Sequence, residues 1–354
     1  MTNPRTFIVG DEDDGIRLDR WFRRNMPEIS FNLVSRWART GQLRLAGKRA
    51  IPGDRIEAGQ EIRLPPAEAT PAPAERAPRR ETLTPEEVQF VRDMVIYEDA
   101  NVFVLNKPPG LATQGGTKTT RHLDRLLDGL AGERGRPKLV HRLDKDTSGA
   151  LLVARTARAA GHFAKAFSGR TARKLYWALV VGVPAQPDGE IDAPLAKQPG
   201  TGGEKMHVDA ESGLPAKTRW RVIDRAGNRA AWVELQPLTG RTHQLRAHMA
   251  AIGHAIVGDA KYGGADAFLT GGISRKMHLH ARRLKVDGPG GGKVDVTADL
   301  PQHFAESLAT LGFDIALGHR PPAVRRASQP RSSKPRRESR RGERRARGSR
   351  ERGR

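Results

Sequence analysis

The segment PPAEATPAPAERAPRRET, residues 65–82, interrupts the hydrophobic patterns of the chain. Proline and alanine dominate it and no helix or strand period runs through it, which is typical of an extended, semi-rigid linker. Because a core cannot form across such a segment, the sequence predicts one domain on each side. We place a small domain at 1–64, the linker at 65–84, a larger domain at 85–318 and a basic tail at 319–354.

The chain is strongly basic, with a formal net charge of +22 over 354 residues. Residues 319–354 contain 15 Lys/Arg against 3 Asp/Glu, so the tail accounts for +12 and the rest of the chain for +10. Both parts are therefore expected to attract a polyanion such as nucleic acid. The tail is too poor in apolar residues to form a core, and we expect it to be disordered and to add salt-sensitive attraction.

The sequence also lacks several common chemical groups and motifs. It contains no cysteine, which excludes disulfides, thiolate zinc sites and thiolate nucleophiles. Neither GxGxxG nor GxxxxGKS/T occurs, so neither a dinucleotide-binding fold nor a P-loop is indicated. The stretch MTNPRTFIVGDEDDG has no apolar signal region, and no apolar run is long enough to span a membrane. We therefore expect a cytoplasmic protein with no membrane partner.

The first domain is predicted to be a small α/β module. One helix face carries Leu18, Trp21 and Phe22, and a second helix is capped by Ser30 and ends at Gly41. Short alternating strands follow around turns. Its polar side is basic, which indicates either a solvated face or an RNA-binding surface. The candidates for RNA contact are Arg36, Arg39, Arg44, Lys48 and Arg49.

The second domain is predicted to be α+β. Two apolar strands flank a turn at Glu98–Asn101, and further strands are predicted at 216–223, 230–237, 277–286 and 293–298. Since turns rather than helices join most of them, we expect a mixed, mostly antiparallel sheet flanked by helices, not a doubly wound parallel one.

The most crowded charged stretch is LVHRLDKDTSGALLVAR, residues 139–155. Asp144 lies between Arg142 and Lys145, and Asp146 follows two residues later. Two carboxylates at this spacing would share a face of an extended segment, as in a glycosidase or nuclease pair. The basic neighbours oppose the protonation that a general acid needs. A single carboxylate that stays ionised close to phosphate groups fits the stretch better.

A second informative stretch is LTGRTHQLRAHMAAIGH, residues 238–254. It is predicted to turn at Gly240 and to begin a helix that Thr242 caps. Arg241 then lies at a strand-to-helix junction, where an arginine can bind a carboxylate through two parallel hydrogen bonds. Such a pair is either purely structural or, with Asp144 as the partner, part of a site.

Histidines cluster in and after this stretch. His243, His248 and His254 are five and six residues apart, a spacing that does not align two imidazoles on a helix face as a spacing of four does. No acidic cluster accompanies them, and His278 and His280 lie further along the chain. We therefore predict no metal site and interpret these histidines as packing or RNA-facing.

The motif VHRLDKDTSGALLVA resembles the catalytic signature of the RluA family of pseudouridine synthases. The resemblance extends in order through VLNKPPGL, KLYWALVVG, PLTGRTHQLRAHMAAIGHAIVGDAKYG and LHARRL, and covers about residues 85–300. The first domain resembles S4-like RNA-binding domains through RLDRW, SRWARTGQLRLAGKRA and GDRIEAGQEIRL. Together these resemblances imply an S4-like RNA-binding domain followed by a pseudouridine synthase domain. They also imply an RNA substrate and no cofactor or cosubstrate.

The resemblance implies three catalytic residues. Asp144 corresponds to the catalytic aspartate, Tyr176 to the active-site tyrosine, and Arg241 to the arginine that pairs with the aspartate. In the reaction, the uracil leaves the ribose at nitrogen 1 and is rejoined to it through carbon 5. This requires an ionised carboxylate and a group that moves the carbon 5 proton.

Four further residues are expected to surround the substrate. Leu245 falls at an apolar position of the uracil pocket, and Arg142 at a basic position implicated in holding the flipped nucleotide. His141 and Lys174 belong to the same motifs and are expected to contact substrate.

Three alternatives for the function stay open at this point. ATQGG, residues 112–116, and the S4-like domain favour large-subunit ribosomal RNA as the target, whereas the same chemistry on transfer RNA is the closest alternative. The third is a non-catalytic RNA-binding or ribosome-assembly factor. The presence of Asp144, Tyr176 and Arg241 together favours the enzyme. Nothing indicates an obligate protein partner, so we expect a monomer.

Overall fold

The computed structural model describes residues 5–66, 82–115, 121–198 and 205–319. The chain divides into two compact units, residues 1–82 and 83–354. The division falls within the segment predicted as a linker, most of which, residues 67–81, lies outside the described residues. The predicted tail also lies outside them beyond residue 319.

The first unit packs two helices on a small antiparallel sheet. Its helices are α1 (Leu18–Asn25) and α2 (Phe31–Thr40), and its strands, in the spatial order β1-β4-β2-β3, are β1 (Arg5–Ile8), β2 (Arg44–Leu45), β3 (Lys48–Arg49) and β4 (Glu61–Leu64). Ser30 accepts a hydrogen bond from the amide of Leu33, and Gly41 has a φ of 73°. Both predicted ends of α2 are therefore confirmed. Phe22 and Trp37 belong to the core of this unit.

The second unit contains the remaining elements. Its helices are α3 (Pro85–Asp93), α4 (Leu123–Leu126), α5 (Ala157–Ser168), α6 (Gln244–Ala251), α7 (Ala260–Gly263) and α8 (Gln302–Thr310). Its strands are β5 (Val95–Glu98), β6 (Val102–Lys107), β7 (Lys138–Leu139), β8 (Ser148–Ala154), β9 (Arg173–Val181), β10 (Asp188–Asp192), β11 (Leu195–Lys197), β12 (Met206–Val208), β13 (Lys217–Ala226), β14 (Ala230–Pro237), β15 (Leu279–Asp287) and β16 (Lys293–Thr297). Short 3₁₀ helices lie at Leu127–Leu130, Gly264–Ala267 and Ile315–His319.

Ten of these strands form one sheet within the described residues. Eight follow the order β10-β13-β14-β9-β15-β8-β6-β5, and β16 pairs with β15 and β7 with β8. β15 and β8 run parallel, whereas the neighbours of β9 and β6 are antiparallel to them. The predicted α+β class, with a mixed and mostly antiparallel sheet flanked by helices, is confirmed.

Strand β9 has a helix on each of its faces, because successive side chains of a strand point to opposite sides. Tyr176 packs in one core cluster with Leu245 and Met249 of α6. Trp177 packs in another with Phe304 of α8. The face that carries Tyr176 is therefore the one that α6 covers.

The structure adds a helix, α3, ahead of the predicted hairpin. Thr84 accepts from the amide of Glu87, and the Glu87 carboxylate accepts from the amide of Thr84. With Pro85 in the first turn, this capping box begins α3 ahead of the predicted hairpin. Across the described ranges, no helix is long and apolar enough to cross a membrane.

Candidate active site

The loop that carries Asp144 joins β7 to β8 and is fixed by buried polar groups. The Lys107 ammonium is fully buried and donates to the carbonyl of Lys145 at 3.0 Å and to two further carbonyls. The Thr113 hydroxyl donates to the carbonyl of Leu143 at 2.6 Å and accepts from its amide at 3.2 Å. These hydrogen bonds hold the backbone on both sides of Asp144, so its carboxylate has a defined position.

Burial has a large effect on Lys107 itself. It lowers the pKa of the ammonium to about 7, although the charges of Asp146 and Asp144 act in the opposite direction. A charged group at this depth is tolerated because carbonyl oxygens surround it.

Gly149 allows β8 to lie close to β15 immediately after this loop. Its φ is +108°, and a Cβ at this position would clash with the backbone of Ala281. Only glycine satisfies both conditions, so the close approach of the two strands depends on this residue.

His141 supports the loop from within the predicted motif. Its Nε2 accepts from the amide of Leu152 at 2.9 Å, and its ring stacks on Phe167 with the centroids 4.0 Å apart. Burial, with the charge of Lys174, lowers the pKa of His141 to about 3. The ring is therefore neutral at physiological pH, and one of its nitrogens is already occupied by the backbone.

Tyr176 lies on β9, opposite Leu235 of β14 and Ala281 of β15. Its side chain is largely buried. Burial, with the charge of Asp144, raises the pKa of its hydroxyl. The phenol therefore stays protonated at neutral pH, and its ring forms an apolar wall beside the carboxylate.

Arg246, in the first turn of α6, is the arginine that the structure pairs with Asp144. Its Nη1 lies 3.7 Å from Oδ2 of Asp144, and its Nε and Nη2 donate to the two carboxylate oxygens of Asp259, each at 2.7 Å. Burial acts to lower the pKa of Arg246. The hydrogen bonds and charge of Asp259, together with the charge of Asp144, outweigh burial and raise that pKa. The guanidinium is thus a fixed positive charge beside the carboxylate.

The structure does not place Arg241 in the predicted pair with Asp144. Arg241 Nε donates to the carbonyl of Pro215 at 3.1 Å. Within the described residues, Arg246 makes the ion-pair contact of Asp144, and the imidazole of His243 lies 3.9 Å from its carboxylate. Arg241 lines the same cavity, but its guanidinium is engaged elsewhere.

The turn before α6 explains this difference. Thr242 does not cap the helix; the helix begins at Gln244, after His243 has adopted a left-handed φ of 51°. The Gln244 side-chain oxygen accepts from the amide of Arg241 at 3.0 Å and from the hydroxyl of Thr239 at 2.6 Å. Because of this turn, the helix begins one residue later than predicted. Arg246, in its first turn, is then the arginine that faces Asp144.

His243 links Asp144 to Tyr262. Its Nε2 lies 3.9 Å from Oδ2 of Asp144, and its Nδ1 lies 3.0 Å from the Tyr262 hydroxyl. That hydroxyl oxygen accepts from the amide of Met206 at 2.9 Å, so we assign its own proton to Nδ1 of His243. Burial is the main cause that lowers the pKa of His243. The neutral ring then carries its proton on Nε2, facing Asp144.

The seven predicted catalytic and substrate-binding residues line one cavity of about 360 Å³. They are Asp144, Tyr176, Arg241, Arg142, Leu245, His141 and Lys174. Its volume is in the range of small-molecule sites. The acidic, aromatic and basic groups of three separate motifs therefore converge on one pocket.

A second cavity, of about 880 Å³, adjoins the first at Asp144. It shares Arg142 and Arg246 with the first and is bordered by Lys145 and Lys276. Asp144 thus lies between a small pocket and a larger basic groove, an arrangement that suits a nucleotide projecting from a strand of nucleic acid.

Several members of this site were missed from the sequence. They are Lys107, Arg246, His243, Asp259 and Tyr262. One signal was available for Arg246. It lies inside a buried helical stretch, and a buried arginine requires an anionic partner.

The five basic residues predicted to bind RNA in the first unit are all exposed. They are Arg36 and Arg39 on α2, Arg44 on β2, and Lys48 and Arg49 on β3. The Arg49 guanidinium also donates to the carbonyls of Ala38 and Arg39. It therefore stabilises the carboxyl end of α2.

The clustered histidines are engaged in packing and hydrogen bonds. The two ring nitrogens of His248 face the hydroxyl of Thr218 and the carbonyl of Ala193, each at 2.9 Å. His278 and His280 are buried, and burial lowers the pKa of each to about 4. Among the described residues, no group of three His, Asp or Glu side chains has an arrangement that would hold a metal ion.

Comparison with known protein families identifies one match. Residues 101–251 match the family model of RNA pseudouridylate synthase. This range contains the Asp144 loop, strand β9 and all of α6.

Curated relatives match over most of the chain. Ribosomal large subunit pseudouridine synthase C of Escherichia coli is 36% identical over 293 residues, which cover 81% of this chain and 89% of the relative. The protein of the same name from Vibrio cholerae is 33% identical over 309 residues, covering 86% and 96%. Among solved structures, human RNA Pseudouridylate Synthase Domain Containing 4 matches with a TM-score of 0.54 and 29% identity, covering 64% of this chain and 96% of that chain.

Proposed function

The chain belongs to the RNA pseudouridylate synthase family, and on that premise we propose that it isomerises one or a few uridines of 23S, large-subunit ribosomal RNA to pseudouridine. Family membership makes it an RNA pseudouridine synthase. The ribosomal target is supported by the relatives, which carry the name of ribosomal large subunit enzymes. The observation that carries the chemistry is the Asp144 carboxylate, which lies 3.7 Å from Arg246 and 3.9 Å from His243 where a small pocket meets a basic groove.

The reaction is an isomerisation in which no atoms are gained or lost. The bond between the ribose carbon 1′ and the uracil nitrogen 1 breaks, and a bond between the same ribose carbon and carbon 5 forms. The proton on carbon 5 leaves and nitrogen 1 takes up a proton. Since no redox change and no cosubstrate are involved, we propose that the protein works without a cofactor.

We assign Asp144 as the nucleophile that acts on the ribose of a flipped-out uridine. The positive charge of Arg246 favours the ionised carboxylate near RNA phosphates, which would otherwise favour protonation. Flipping the nucleotide out of its stack costs a few kcal/mol. Arg142, which is exposed and borders both cavities, is placed to offset part of that cost by binding the flipped nucleotide's phosphate.

Tyr176 and Leu245 supply the apolar walls of the uracil pocket in this proposal. Both are largely buried and both line the small cavity. The Tyr176 ring offers a face on which uracil stacks. Its hydroxyl can act as a proton relay, in which the oxygen takes up the carbon 5 proton as its own proton passes to solvent. Lys174 lies on the same strand, and burial lowers its pKa.

The first unit and the tail act as RNA-binding parts. We propose that residues 1–64 form an S4-like domain whose exposed basic residues on α2, β2 and β3 contact structured RNA. The tail adds sequence-independent attraction through its charge. We further propose that the protein acts as a monomer in the cytoplasm, where ribosomal RNA is modified.

Tritium release from RNA labelled at carbon 5 of uridine tests the reaction and the substrate together. Transcribed large-subunit ribosomal RNA and a transfer RNA pool are each incubated with the wild type, with Asp144→Asn and with Asp93→Asn, an exposed carboxylate of α3. We expect release from ribosomal RNA with the wild type and Asp93→Asn only. Release from transfer RNA alone would overturn the target, and release by Asp144→Asn would overturn the nucleophile.

A further inference from the structure

A second basic cavity lies on the opposite face of β9 from the active site. Lys174 and Tyr176 line the active-site cavity, whereas Arg173 and Trp177 line a separate cavity of about 490 Å³. Adjacent residues of a strand point to opposite faces, so the sheet separates the two cavities. We call the second one the back-face cavity. Its basic lining residues are Arg173, Arg221, Arg282, Arg283 and Lys285. It is also lined by Glu234, which forms an ion pair with Arg221 at 2.7 Å.

A β-bulge brings two consecutive arginines to the back-face cavity. The pairing of β15 with β9 shifts between Ala281 and Arg283, so Arg282 has no opposing residue on β9. In a regular strand Arg282 and Arg283 would face opposite sides; the bulge places both at this cavity. The Arg282 side chain is only 11% exposed, and its carboxylate partner, Asp299, is 3.7 Å away and 99% exposed. Its guanidinium lies over the ring of Trp177.

Like charges also face each other at this cavity. Arg173 of β9 is paired directly with Lys285 of β15, and like charges in that position destabilise a sheet. Asp295 receives two hydrogen bonds from Arg283, at 2.7 and 2.9 Å, and also lies 3.1 Å from Lys285. One carboxylate thus serves two cations, and among the described residues no carboxylate lies within ion-pair distance of Arg173. Three carboxylates, Glu234, Asp295 and Asp299, therefore pair with cations of the cavity. Its five basic residues exceed them by two, an excess of positive charge that an anion would neutralise.

We propose that the back-face cavity binds phosphate groups of the RNA backbone, at a distance from the uridine being modified. This inference rests on the proposed RNA substrate and adds a second point of contact. Gly318 and His319 line the cavity, and residues 320–354, which follow them, contain 15 Lys/Arg and 3 Asp/Glu. Positive charge therefore continues along the chain from the cavity, which suits a polyanion better than a single small anion.

The test removes two charges from the cavity of the full-length protein. Arg173→Gln with Lys285→Gln removes the pair that faces across the strands and leaves the active-site cavity intact. The matched control, Arg92→Gln with Arg158→Gln, removes two exposed arginines that line none of the cavities described above. For each protein, the dissociation constant for large-subunit ribosomal RNA and for an unrelated RNA of equal length is measured over a range of salt concentrations.

We expect the cavity variant to bind both RNAs about 5- to 20-fold more weakly at 0.15 M salt, with a salt dependence reduced by about one to two counterions. The loss is expected for both RNAs because backbone contacts carry no sequence information. The expected loss of affinity therefore does not depend on whether ribosomal RNA is the true substrate. The turnover number at saturating RNA should stay within about 2-fold of the wild type.

Two results would overturn the proposal. One is an equal loss of RNA affinity in the cavity variant and in the control, which would make the effect one of net charge alone. The other is thermal stabilisation of the wild type by inorganic phosphate, absent in the cavity variant, with RNA affinity unchanged, which would identify a site for a small anion only. A melting temperature of the cavity variant equal to or above that of the wild type shows that it is folded.

Discussion

Arg246 holds two carboxylates at once: Asp259 through two hydrogen bonds of 2.7 Å, and Asp144 at 3.7 Å. The side chain of Asp259 is 1% exposed, so this carboxylate holds Arg246 from the buried side. Because one edge of the guanidinium is fixed by Asp259, the other edge is aimed at Asp144. Asp259 is therefore a positioning residue for the carboxylate that we assign as the nucleophile.

Removing Arg246 should damage both stability and activity. Arg246→Met leaves the Asp259 carboxylate buried without its partner, and we expect the free energy of unfolding to fall by about 3–5 kcal/mol. The double variant Arg246→Met/Asp259→Leu should recover much of that loss, because both charges are then replaced by apolar groups. Urea unfolding and initial rates of pseudouridine formation are the measurements. The double variant is predicted to stay inactive; activity that returned with stability would show that Arg246 has only a structural role.

His243 is expected to shape the acid side of the pH profile. Burial lowers its pKa below the ordinary value of 6.5, so the ring is neutral at pH 7 and becomes charged only in more acidic solution. A charged ring would bind Oδ2 of Asp144 more strongly and withdraw it from the ribose, so the wild-type rate should fall in solutions more acidic than the ordinary histidine pKa of 6.5. His243→Gln cannot titrate, and its profile should lose that decline while its rate at pH 7 falls by about 10- to 100-fold. Profiles of identical shape would contradict the role given to His243.

Buried histidines should make the fold sensitive to acid. Burial lowers the pKa of His278 and of His280 to about 4, whereas in the unfolded chain both titrate near 6.5. Between pH 6.5 and pH 4 the unfolded state therefore binds more protons, and stability falls as the pH falls. Each histidine contributes up to about 1.4 kcal/mol per pH unit in that window.

Unfolding by urea at pH 7, 6 and 5 measures this effect. His280→Gln is the informative variant, because it removes one titrating group at a buried position that faces the Ser148 hydroxyl at 2.9 Å. It should be less stable than the wild type at pH 7 but lose less stability on acidification. Equal slopes for the two proteins would show that folding does not lower the pKa of His280.

Deletion of residues 320–354 should weaken RNA binding without changing the modified uridine. The deleted segment contains 15 Lys/Arg and 3 Asp/Glu, and charge of this kind gives salt-dependent, sequence-independent attraction. We expect the affinity at 0.15 M salt to fall by about 10-fold or more and the salt dependence to become shallower. Binding curves at several salt concentrations test the loss of affinity, and a map of modified positions tests whether the modified uridine is unchanged. A new modification site in the truncated protein would contradict the prediction.

Much of the site could be predicted from sequence because its residues lie in contiguous motifs with a local structural signal. The turn at Glu98–Asn101 and the helix capped by Ser30 follow from turn and capping residues, and the structure contains both. The family motifs name Asp144 and Tyr176, which line the same cavity. That Asp144 and Tyr176 come together depends on how the strands pair. The motifs indicate this pairing only through the family resemblance.

The choice between Arg241 and Arg246 could not be made in that way. Both lie in GRTHQLR, and which one reaches Asp144 depends on where α6 begins. That start is set by the left-handed φ of His243, 51°, a conformation that few non-glycine residues adopt and that propensity alone does not predict. Arg282 is a similar case. Alternation predicts that it faces away from Arg283, and the bulge that reverses this prediction comes from the pairing of β15 with β9.

A site-resolved map of pseudouridine in cellular ribosomal RNA tests the central claim most directly. RNA is compared from cells that lack the protein, cells in which the wild type is restored, and cells that carry Asp144→Asn at equal abundance. We predict that one or a few large-subunit uridines lose modification without the protein, regain it with the wild type, and stay unmodified with Asp144→Asn. An unchanged map in cells that lack the protein would contradict the proposed target, and full modification with Asp144→Asn would contradict the proposed nucleophile.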